Sequence, residues 1–128
     1  MANNYNILYF DEIDSTNTFA LKNITSLSDK QIIIASKQTN GRGRLARKWI
    51  SDIEGNVYLS IVLKPFSEMR EGLPLANLTQ YLSVVLCRVL QDYGVNPEIK
   101  WPNDVLVNGK KISGILSELS VSGKTLKG

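Results

Sequence analysis

The chain has 128 residues, of which 43% are hydrophobic and 21% are charged, and its formal net charge is +3. This balance is typical of a folded globular domain, and a chain of this length buries roughly two thirds of the surface that it exposes when unfolded. One cysteine and no histidine are present. The composition therefore excludes an internal disulfide, a cysteine-based zinc site and catalysis by a Ser-His-Asp or Cys-His arrangement.

The hydropathy pattern does not predict a membrane protein. No apolar run approaches the roughly 20 residues that a membrane-spanning helix needs. Residues 1–6 contain neither a basic n-region nor an apolar h-region, so we expect no export signal. The sequence thus predicts a cytoplasmic protein without membrane contact.

Hydrophobic patterning in the first half predicts strands around one helix. Asp14-Ser15-Thr16-Asn17 is a cluster of residues that cap helices, and Ile32-Ile33-Ile34 is typical of a buried strand. The predicted elements are a strand at 7–10, a helix of about three turns from 14–17 to Leu27, a strand at 31–38, a loop at 39–50 and a strand at 56–63. Apolar Val57, Leu59, Ile61 and Leu63 share one face of the last strand.

The second half predicts a long helix and a hairpin. Apolar residues recur at helical spacing after Pro74, and Gly94 is a helix stop signal. Asn108-Gly109 favours a two-residue type I′ turn. The predicted elements are a helix from Pro74 to Tyr93, an extended segment at 99–107 interrupted by Pro102, a strand at 111–119 and a turn at Ser122-Gly123. This order predicts an α+β fold of two layers, in which a mixed, mainly antiparallel sheet carries helices on one face.

Positive charge is concentrated in the predicted loop. Residues 30–51 contain six Lys or Arg and no acid, and Gly41 and Gly43 alternate with Arg42 and Arg44. The glycines lack a Cβ, so the backbone there can take positive φ and bring its N–H groups against a ligand, and each arginine fork can hold a carboxylate or a phosphate. The segment predicts an anion-binding loop, and the alternative is a solvated basic surface.

Three further features allow both a structural and a functional interpretation. In Lys100-Trp-Pro-Asn-Asp104, a lysine lies at the end of a strand near a rigid proline and a carboxylate, which suits a functional role. In the structural interpretation, Trp101 fills the core and Asn103 and Asp104 form a turn. Residues 14–17 cap a helix, and a helix N-terminus can also bind an anion or a polar group. Gly114 fits either a β-bulge or the close approach of a ligand.

Together these motifs resemble the catalytic domain of biotin protein ligases, enzymes that attach biotin to a lysine of biotin carboxyl carrier proteins. The resemblance rests on four ordered motifs, which are Ser15-Thr16-Asn17, Gln38 with Gly41-Arg-Gly-Arg44 and Arg47-Lys-Trp49, Lys100-Trp-Pro-Asn-Asp104, and Lys111-Ile-Ser-Gly-Ile-Leu116. It implies that residues 1–128 form the N-terminal and central part of that domain. The family's last strand, its small C-terminal domain and the N-terminal helix-turn-helix domain of some relatives are then expected to be missing.

The resemblance also implies a reaction with two steps. Biotin and ATP, with Mg²⁺, give biotinyl-5′-AMP and pyrophosphate, and the lysine of the carrier protein then attacks the mixed anhydride and releases AMP. The implied partners are biotin, ATP and the carrier domain, without DNA or a membrane, and a homodimer is compatible with the family. Because a carboxylate must approach a phosphate, we expect several cations to converge on one anionic pocket.

The resemblance assigns roles to individual residues. The implied catalytic residues are Lys100, Arg44 and Asp104, where Lys100 contacts the reacting carboxylate and α-phosphate and Asp104 orients the carrier lysine. The implied biotin contacts are Ser15, Thr16, Asn17, Gln38, Gly41, Arg42, Gly43, Arg44, Lys100, Gly114, Ile115 and Leu116. The implied nucleotide contacts are Arg42, Arg44, Arg47, Trp49, Asn103 and Lys111. No residue is implied as a metal ligand.

Other functions remain open at this point. One is a fragment that binds biotin or nucleotide without catalysis. Another is an acyltransferase similar to the lipoate ligases, although lipoate ligases are not expected to carry both the Gly-Arg-Gly-Arg loop and the Lys-Trp-Pro-Asn-Asp motif. A nucleic-acid-binding module is disfavoured, because only one loop is basic and no aromatic platform is evident. We also expect the loop at residues 41–49 to be mobile when empty and to become ordered over its ligand.

Overall fold

The computed structural model describes residues 4–64 and 77–128. The elements are β1 (Ile7–Ile13), α1 (Thr16–Lys22), β2 (Ile32–Gln38), β3 (Tyr58–Ile61), α2 (Leu78–Asp92), β4 (Pro97–Lys100), β5 (Asp104–Val107), β6 (Lys110–Gly114), β7 (Val121–Ser122) and β8 (Thr125–Leu126). The chain divides into two compact units. The first unit is Met1–Met69 with Glu118–Gly128, and the second is Arg70–Ser117.

The first unit is built on a three-stranded sheet with β2 in the centre. β1 pairs with β2 in parallel, and β3 pairs with β2 antiparallel. Because parallel strands need a crossover connection, the segment that contains α1 joins β1 to β2. The core of the unit consists of buried Leu27, Ile33 and Val62, with Leu8, Phe10, Phe19, Ala20 and Ile24 packed against it. The sheet therefore holds the end of β2, where Gln38 lies, in a fixed position beside α1.

Helix α1 is shorter than predicted, since it ends at Lys22 instead of continuing to Leu27. Asn23 is the C-cap, where the backbone leaves the helical conformation (φ −112°, ψ 16°); its N–H makes the last helical bond, to the carbonyl of Phe19 (3.1 Å), and its side-chain Nδ2 donates to the same carbonyl (2.8 Å). Short polar side chains compete with helical hydrogen bonds in this way. Leu27 still reaches the core from the turns that follow.

Strand β3 buries the face opposite to its apolar stripe. Val57, Leu59 and Ile61 are exposed, whereas Tyr58, Ser60 and Val62 are buried. Tyr58 and Val62 supply apolar surface to the buried face, and Ser60 is accepted there because its hydroxyl finds partners on α1. The alternating pattern thus predicts a strand correctly, but it does not show which face of the strand is buried.

In the second unit, α2 ends as the sequence predicts. Gly94 has a φ of +76°, its N–H donates to the carbonyl of Gln91 (2.9 Å), and the N–H of Val95 donates to the carbonyl of Leu90 (3.0 Å). This is the Schellman motif, which a glycine in the left-handed region favours. The predicted first turn at Pro74 lies outside the described residues. Cys87 is buried in α2, and this burial raises the pKa of its thiol. The sequence predicts no functional role for it.

Strands β4, β5 and β6 form an antiparallel sheet in the second unit. Asn108 and Gly109 both have positive φ, so the predicted two-residue hairpin between β5 and β6 is confirmed. The extended segment around Pro102 is a second hairpin, because β4 and β5 pair antiparallel across it. The register between β5 and β6 shifts so that Ile112 is unpaired, whereas Gly114 pairs regularly with Asp104. The bulge therefore lies at Ile112 and not at Gly114.

The predicted class, α+β with mainly antiparallel pairing, is confirmed. Instead of one mixed sheet, the strands of residues 4–64 and 77–128 form three sheets, the smallest being β7 with β8 around the predicted turn at Ser122-Gly123. No helix in the described part of the chain is both long and apolar enough to cross a membrane.

Candidate active site

The N-terminus of α1 lies at the end of β1 and carries the first motif. Ser15 is the N-cap, and its hydroxyl accepts a hydrogen bond from the N–H of Thr18 (3.2 Å). Ser15 and Thr16 are both buried. The structural interpretation of this motif is thereby confirmed, whereas its contact with biotin stays a prediction.

A polar network joins α1 to β2 and β3. Oε1 of Gln38 accepts hydrogen bonds from the backbone N–H (2.8 Å) and the hydroxyl (3.2 Å) of Thr16, and Nε2 of Gln38 donates to Ser51 Oγ (3.0 Å). The hydroxyl of Ser60 donates to Thr16 Oγ1 (2.7 Å) and also contacts Oδ1 of Asn17. Three of the predicted biotin contacts therefore lie in one network whose groups orient each other.

The loop at residues 41–49 closes on itself as a small hairpin. Arg42 and Lys48 form an isolated bridge, the N–H of Trp49 donates to the carbonyl of Gly41 (2.8 Å), and the N–H of Gly43 donates to the carbonyl of Arg47 (2.8 Å). The predicted residues Gly41, Arg42, Gly43, Arg44, Arg47 and Trp49 are therefore held together in one loop.

The glycines of this loop do not use the positive φ that glycine allows. The left-handed residues are Leu45 (φ 56°) and Ala46 (φ 58°), next to Arg44, and Gly43 is extended with a φ of −112°. Gly41 is required for a different reason, since a Cβ there would lie 2.4 Å from the carbonyl oxygen of Trp49. Close packing, not an unusual φ, explains Gly41. Non-glycine residues with positive φ are uncommon and often mark functional loops.

Arg42 does not point to solvent, because it is bound to an acid that the sequence did not single out. Its Nη1 and Nη2 donate to Oε1 (2.6 Å) and Oε2 (2.7 Å) of Glu118, and its Nε donates to Thr18 Oγ1 (3.1 Å). Nδ2 of Asn17 donates to Oε2 of the same carboxylate (3.0 Å). Burial by itself would raise the pKa of Glu118, but the hydrogen bonds from Arg42 and Asn17 and the charge of Arg42 together lower it.

A shallow, open depression of about 380 Å³ lies between the end of β2 and the loop. Its lining includes Gln38, Gly41, Lys48, Trp49 and Ser51, so several predicted biotin and nucleotide contacts border it. A second open depression of about 540 Å³ is lined by Asp11, Glu12, Ser36, Lys37, Glu54, Gly55 and Asn56. We favour the first for an anionic ligand, because its two carboxylates, Glu12 and Asp52, are matched by Lys37 and Lys48, whereas three carboxylates face only Lys37 in the second.

In the second unit, the hairpin of β4 and β5 positions the Lys-Trp-Pro-Asn-Asp motif. Lys100 ends β4 directly opposite Asp104, and Asp104 lies opposite Gly114 of β6. Three predicted site residues thus lie side by side at one end of this sheet. Trp101, in the turn between the strands, is 76% exposed, so the core-filling interpretation is wrong.

Two local contacts fix the ends of these strands. Nζ of Lys111 forms an ion pair with Oδ1 of Asp104 at 2.9 Å. The N–H of Ile115 donates to the carbonyl of Asn103 (3.0 Å), and Nδ2 of Asn103 donates to the carbonyl of Ile115 (3.0 Å). Asn103 is therefore more than a turn residue, because it ties the motif to the segment that holds Gly114, Ile115 and Leu116.

Each unit gathers its own set of predicted residues. The first unit holds Ser15, Thr16, Asn17, Gln38, Gly41, Arg42, Gly43, Arg44, Arg47 and Trp49, and the second holds Lys100, Asn103, Asp104, Lys111, Gly114, Ile115 and Leu116. Thr18, Ser60 and Glu118 also hold the site together, although the sequence did not predict a role for them. The one signal in the sequence for Glu118 is that it is a single acid in a stretch otherwise rich in lysine.

The sequence profile of the biotin/lipoate A/B protein ligase family matches residues 9–128. Because this match takes in nearly the whole chain, the protein belongs to the biotin/lipoate A/B protein ligase family. Among its relatives, the chain is 41% identical over 117 residues to the biotin–[acetyl-CoA-carboxylase] ligase of Paracoccus denitrificans, covering 86% of this chain and 45% of that protein. It is 39% identical over 115 residues to the bifunctional ligase/repressor BirA of Escherichia coli (strain K12), covering 88% and 34%. The chain thus spans less than half the length of these curated relatives.

Solved structures agree with this assignment. The biotin protein ligase from Aquifex aeolicus in complex with biotin and ATP superposes with a TM-score of 0.77 at 34% identity, covering 94% of this chain and 49% of that one. The biotin acetyl coenzyme A carboxylase synthetase from Helicobacter pylori with bound biotinylated ATP gives a TM-score of 0.80 at 27% identity, covering 94% and 56%. The fold of this chain is therefore that of biotin protein ligase structures.

Proposed function

We propose that the chain is the part of a biotin protein ligase that activates biotin with ATP and transfers it to a lysine of a carrier protein. The observation that carries the proposal is that the motif residues lie on or next to the ends of helices and strands, within a match to the ligase family. The relatives named as biotin ligases and the solved complexes with biotin and ATP support the same chemistry.

The reaction joins two anions, and this problem decides which residues are needed. The carboxylate of biotin attacks the α-phosphate of ATP, a P–O bond forms, and pyrophosphate leaves with the electron pair of the bond that breaks. Like-charge repulsion opposes the approach, so fixed cations lower the barrier by stabilising the charge that develops on phosphorus-bound oxygens. Holding the two reactants in line removes a large part of the remaining entropic barrier.

In the first unit, we assign binding of the ureido ring of biotin to Thr16, Asn17 and Gln38. Their amide and hydroxyl groups offer both donors and acceptors, which matches a cyclic urea. These groups are paired with one another and with Ser60, so their positions are set before a ligand arrives. We assign contacts with the carboxylate and phosphates to Arg44 and Arg47, which follow the two glycines of the loop.

In the second unit, we assign stabilisation of the reacting oxygens to Lys100. Its strand position opposite Asp104 fixes the backbone from which the side chain extends. Asp104 then orients the incoming lysine of the carrier, whose uncharged amine attacks the carbonyl carbon of the adenylate and displaces AMP. The ion pair between Lys111 and Asp104 holds that carboxylate in place for this role.

Magnesium fits this proposal as a companion of ATP. No group of three or more His, Cys, Asp or Glu side chains gathers among the residues that the structure describes. Mg²⁺ commonly keeps several waters and binds through substrate phosphates, so a cage built by the protein is not required. When bound with ATP, the ion would neutralise part of the charge on the phosphates.

Two other functions give different experimental results. A binding fragment would take up biotin or nucleotide without releasing pyrophosphate, and a lipoate-type ligase would prefer lipoate as the acid. We expect biotin to be activated and lipoate to be ignored, because the Thr16, Asn17 and Gln38 network offers several hydrogen-bonding partners for a cyclic urea. The homodimer remains a proposal from the resemblance, and the cytoplasmic location remains a proposal from the sequence.

The test is transfer of biotin onto a carrier. The chain is incubated with ATP, Mg²⁺, biotin and a biotin carboxyl carrier domain, and the mass of the carrier is measured. We expect one biotinyl group on one lysine, only when ATP is present. Binding of biotin by calorimetry without any mass increase and without pyrophosphate would select the binding fragment instead, and a mass increase with lipoate alone would select the lipoate-type activity.

A further inference from the structure

We propose that Glu118 is a positioning residue that fixes Arg42 of the loop against the N-terminal turn of α1, so that the biotin-binding end of the site is organised before the ligand binds. The inference rests on the proposed function and adds to it a residue that no motif contains. It concerns residues of the first unit alone.

The contact between the two side chains has the geometry of a specific pair. Both oxygens of Glu118 accept from the two terminal nitrogens of Arg42, at 2.6 and 2.7 Å. Parallel hydrogen bonds of this kind set the direction as well as the distance of the guanidinium group, and their short lengths are typical of charge-assisted bonds. The side chains are only 34% and 24% exposed, so solvent screens the pair less than it screens the exposed pair of Lys37 and Glu54.

Further contacts tie the pair to α1. Nε of Arg42 donates to the hydroxyl of Thr18, and Nδ2 of Asn17 donates to Glu118. Asn17 also contacts Ser60, which donates to Thr16. A continuous chain of hydrogen bonds therefore connects the first arginine of the loop with Thr16.

The loop needs such an anchor. Arg42 lies between Gly41 and Gly43, and a long side chain on a glycine-rich backbone loses much conformational entropy when a ligand fixes it. A guanidinium that is already held gives up less of this entropy on binding. Because Glu118 neutralises the charge of Arg42, the pair contributes orientation and not net positive charge to the site.

In a competing interpretation, Glu118 occupies Arg42 only while the site is empty. An anionic ligand would then displace Glu118 and bind Arg42 in its place. Displacement would leave a partly buried carboxylate with Asn17 but without its charged partner, and uncompensated charges of this kind are strongly disfavoured. The geometry therefore favours a permanent pair. The two interpretations predict opposite effects on biotin affinity.

The test compares Glu118→Gln with Glu54→Gln, which removes the acid of the exposed pair with Lys37. Biotin-dependent exchange of pyrophosphate into ATP gives KM and kcat for each protein. We expect Glu118→Gln to raise the KM for biotin by about tenfold, with a small change in kcat and in the KM for ATP, because a glutamine can keep only one of the two bonds to Arg42. Glu118→Asp keeps the charge and should recover part of the loss, and Glu54→Gln should match the wild type.

An unchanged or lower KM for biotin in Glu118→Gln would overturn the proposal, and a lower value would select displacement by the ligand. A second readout does not depend on activity. The Nε–H of Arg42, followed by ¹⁵N NMR, should exchange with water at least tenfold faster in Glu118→Gln than in the wild type, since loss of the pair frees the guanidinium. Equal rates would overturn the proposal. A wild type that lacks biotin-dependent exchange but shows the NMR difference would contradict the proposed function alone.

Discussion

At the scale of single residues, the two glycines of the loop differ in what they can accept. A Cβ at Gly41 would meet the Trp49 carbonyl oxygen at 2.4 Å and Ser51 Oγ at 2.7 Å, whereas the first atom that a Cβ at Gly43 would meet is 3.6 Å away. Backbone atoms cannot move aside as the end of a flexible side chain can. The arginine loop is therefore packed against Ser51 and Trp49 through Gly41 and is more tolerant at Gly43.

We predict that Gly41→Ala lowers the free energy of unfolding by about 1–3 kcal/mol, the usual range for overpacking. Gly43→Ala is the matched control and should change it by less than about 0.5 kcal/mol, since its φ of −112° suits alanine. Urea unfolding of the three proteins, followed by circular dichroism, measures both effects. Equal midpoints for Gly41→Ala and the wild type would show that the loop is not packed in this way.

The pKa of Glu118 gives a second prediction at this scale. Its pairing lowers the pKa below the ordinary value of 4.5. A lowered pKa in the folded state means that the contribution to stability is complete above the unfolded value and is lost as the pH falls through the folded one. We therefore expect the pair to stabilise the protein at neutral pH and to lose this effect progressively as the pH falls below the ordinary value for the carboxyl group.

The prediction is tested by urea unfolding of the wild type and Glu118→Gln at pH 7 and at pH 3. The wild type should be more stable by about 2 kcal/mol at pH 7, as expected for hydrogen bonds to a charged group. The difference should be smaller at pH 3. A difference that is the same at both pH values would mean that the ionised carboxylate does not hold the pair.

At the scale of secondary structure, the end of α2 depends on one left-handed residue. Gly94 has a φ of +76°, and a Cβ there would meet no atom within 4 Å. Any loss on substitution must therefore come from backbone strain and not from a clash. We predict that Gly94→Ala lowers the free energy of unfolding by about 1 kcal/mol, and that Gly94→Asn loses less because asparagine tolerates this conformation.

Melting temperatures of the two variants and the wild type decide this prediction. The order wild type, Gly94→Asn, Gly94→Ala, from highest to lowest, is expected. If alanine were as stable as glycine, the Schellman motif would not limit the helix. The same argument applies to the turn at Asn108 and Gly109, where both residues have positive φ.

Three local signals in the sequence predict the backbone conformation that is observed. The cap at Ser15, the stop at Gly94 and the type I′ turn at Asn108 follow from conformations that few residues adopt or stabilise. Errors arose where side chains compete. Helix α1 ends early at Asn23, whose side chain donates to the carbonyl of Phe19, and Ser60 placed a polar residue on the buried face of β3 because its partners come from α1. Sequence spacing contains no information about such partners.

At the scale of the whole molecule, ordered motifs predicted the family and the class of fold. The site is harder to predict, because its supporting residues are distant in sequence. Glu118 binds Arg42 from 76 positions further along the chain, and Asn103 binds the backbone of Ile115 across a hairpin. The motifs therefore identify the residues that are expected to contact ligands, and the fold adds those that hold them. Convergence of Arg44 and Lys100 on one anionic ligand stays a prediction, as does ordering of the loop at residues 41–49 over that ligand.

The most direct measurement of the central claim is release of pyrophosphate by the chain in the presence of ATP, Mg²⁺ and biotin. We predict release that requires biotin, and a loss of at least about 100-fold in Lys100→Ala, the size expected when a group that stabilises transition-state charge is removed. An unchanged circular dichroism spectrum of the variant would show that its fold is intact, and lipoate in place of biotin is the control for the acid. Release at the wild-type rate by Lys100→Ala, or release that does not depend on biotin, would contradict the account.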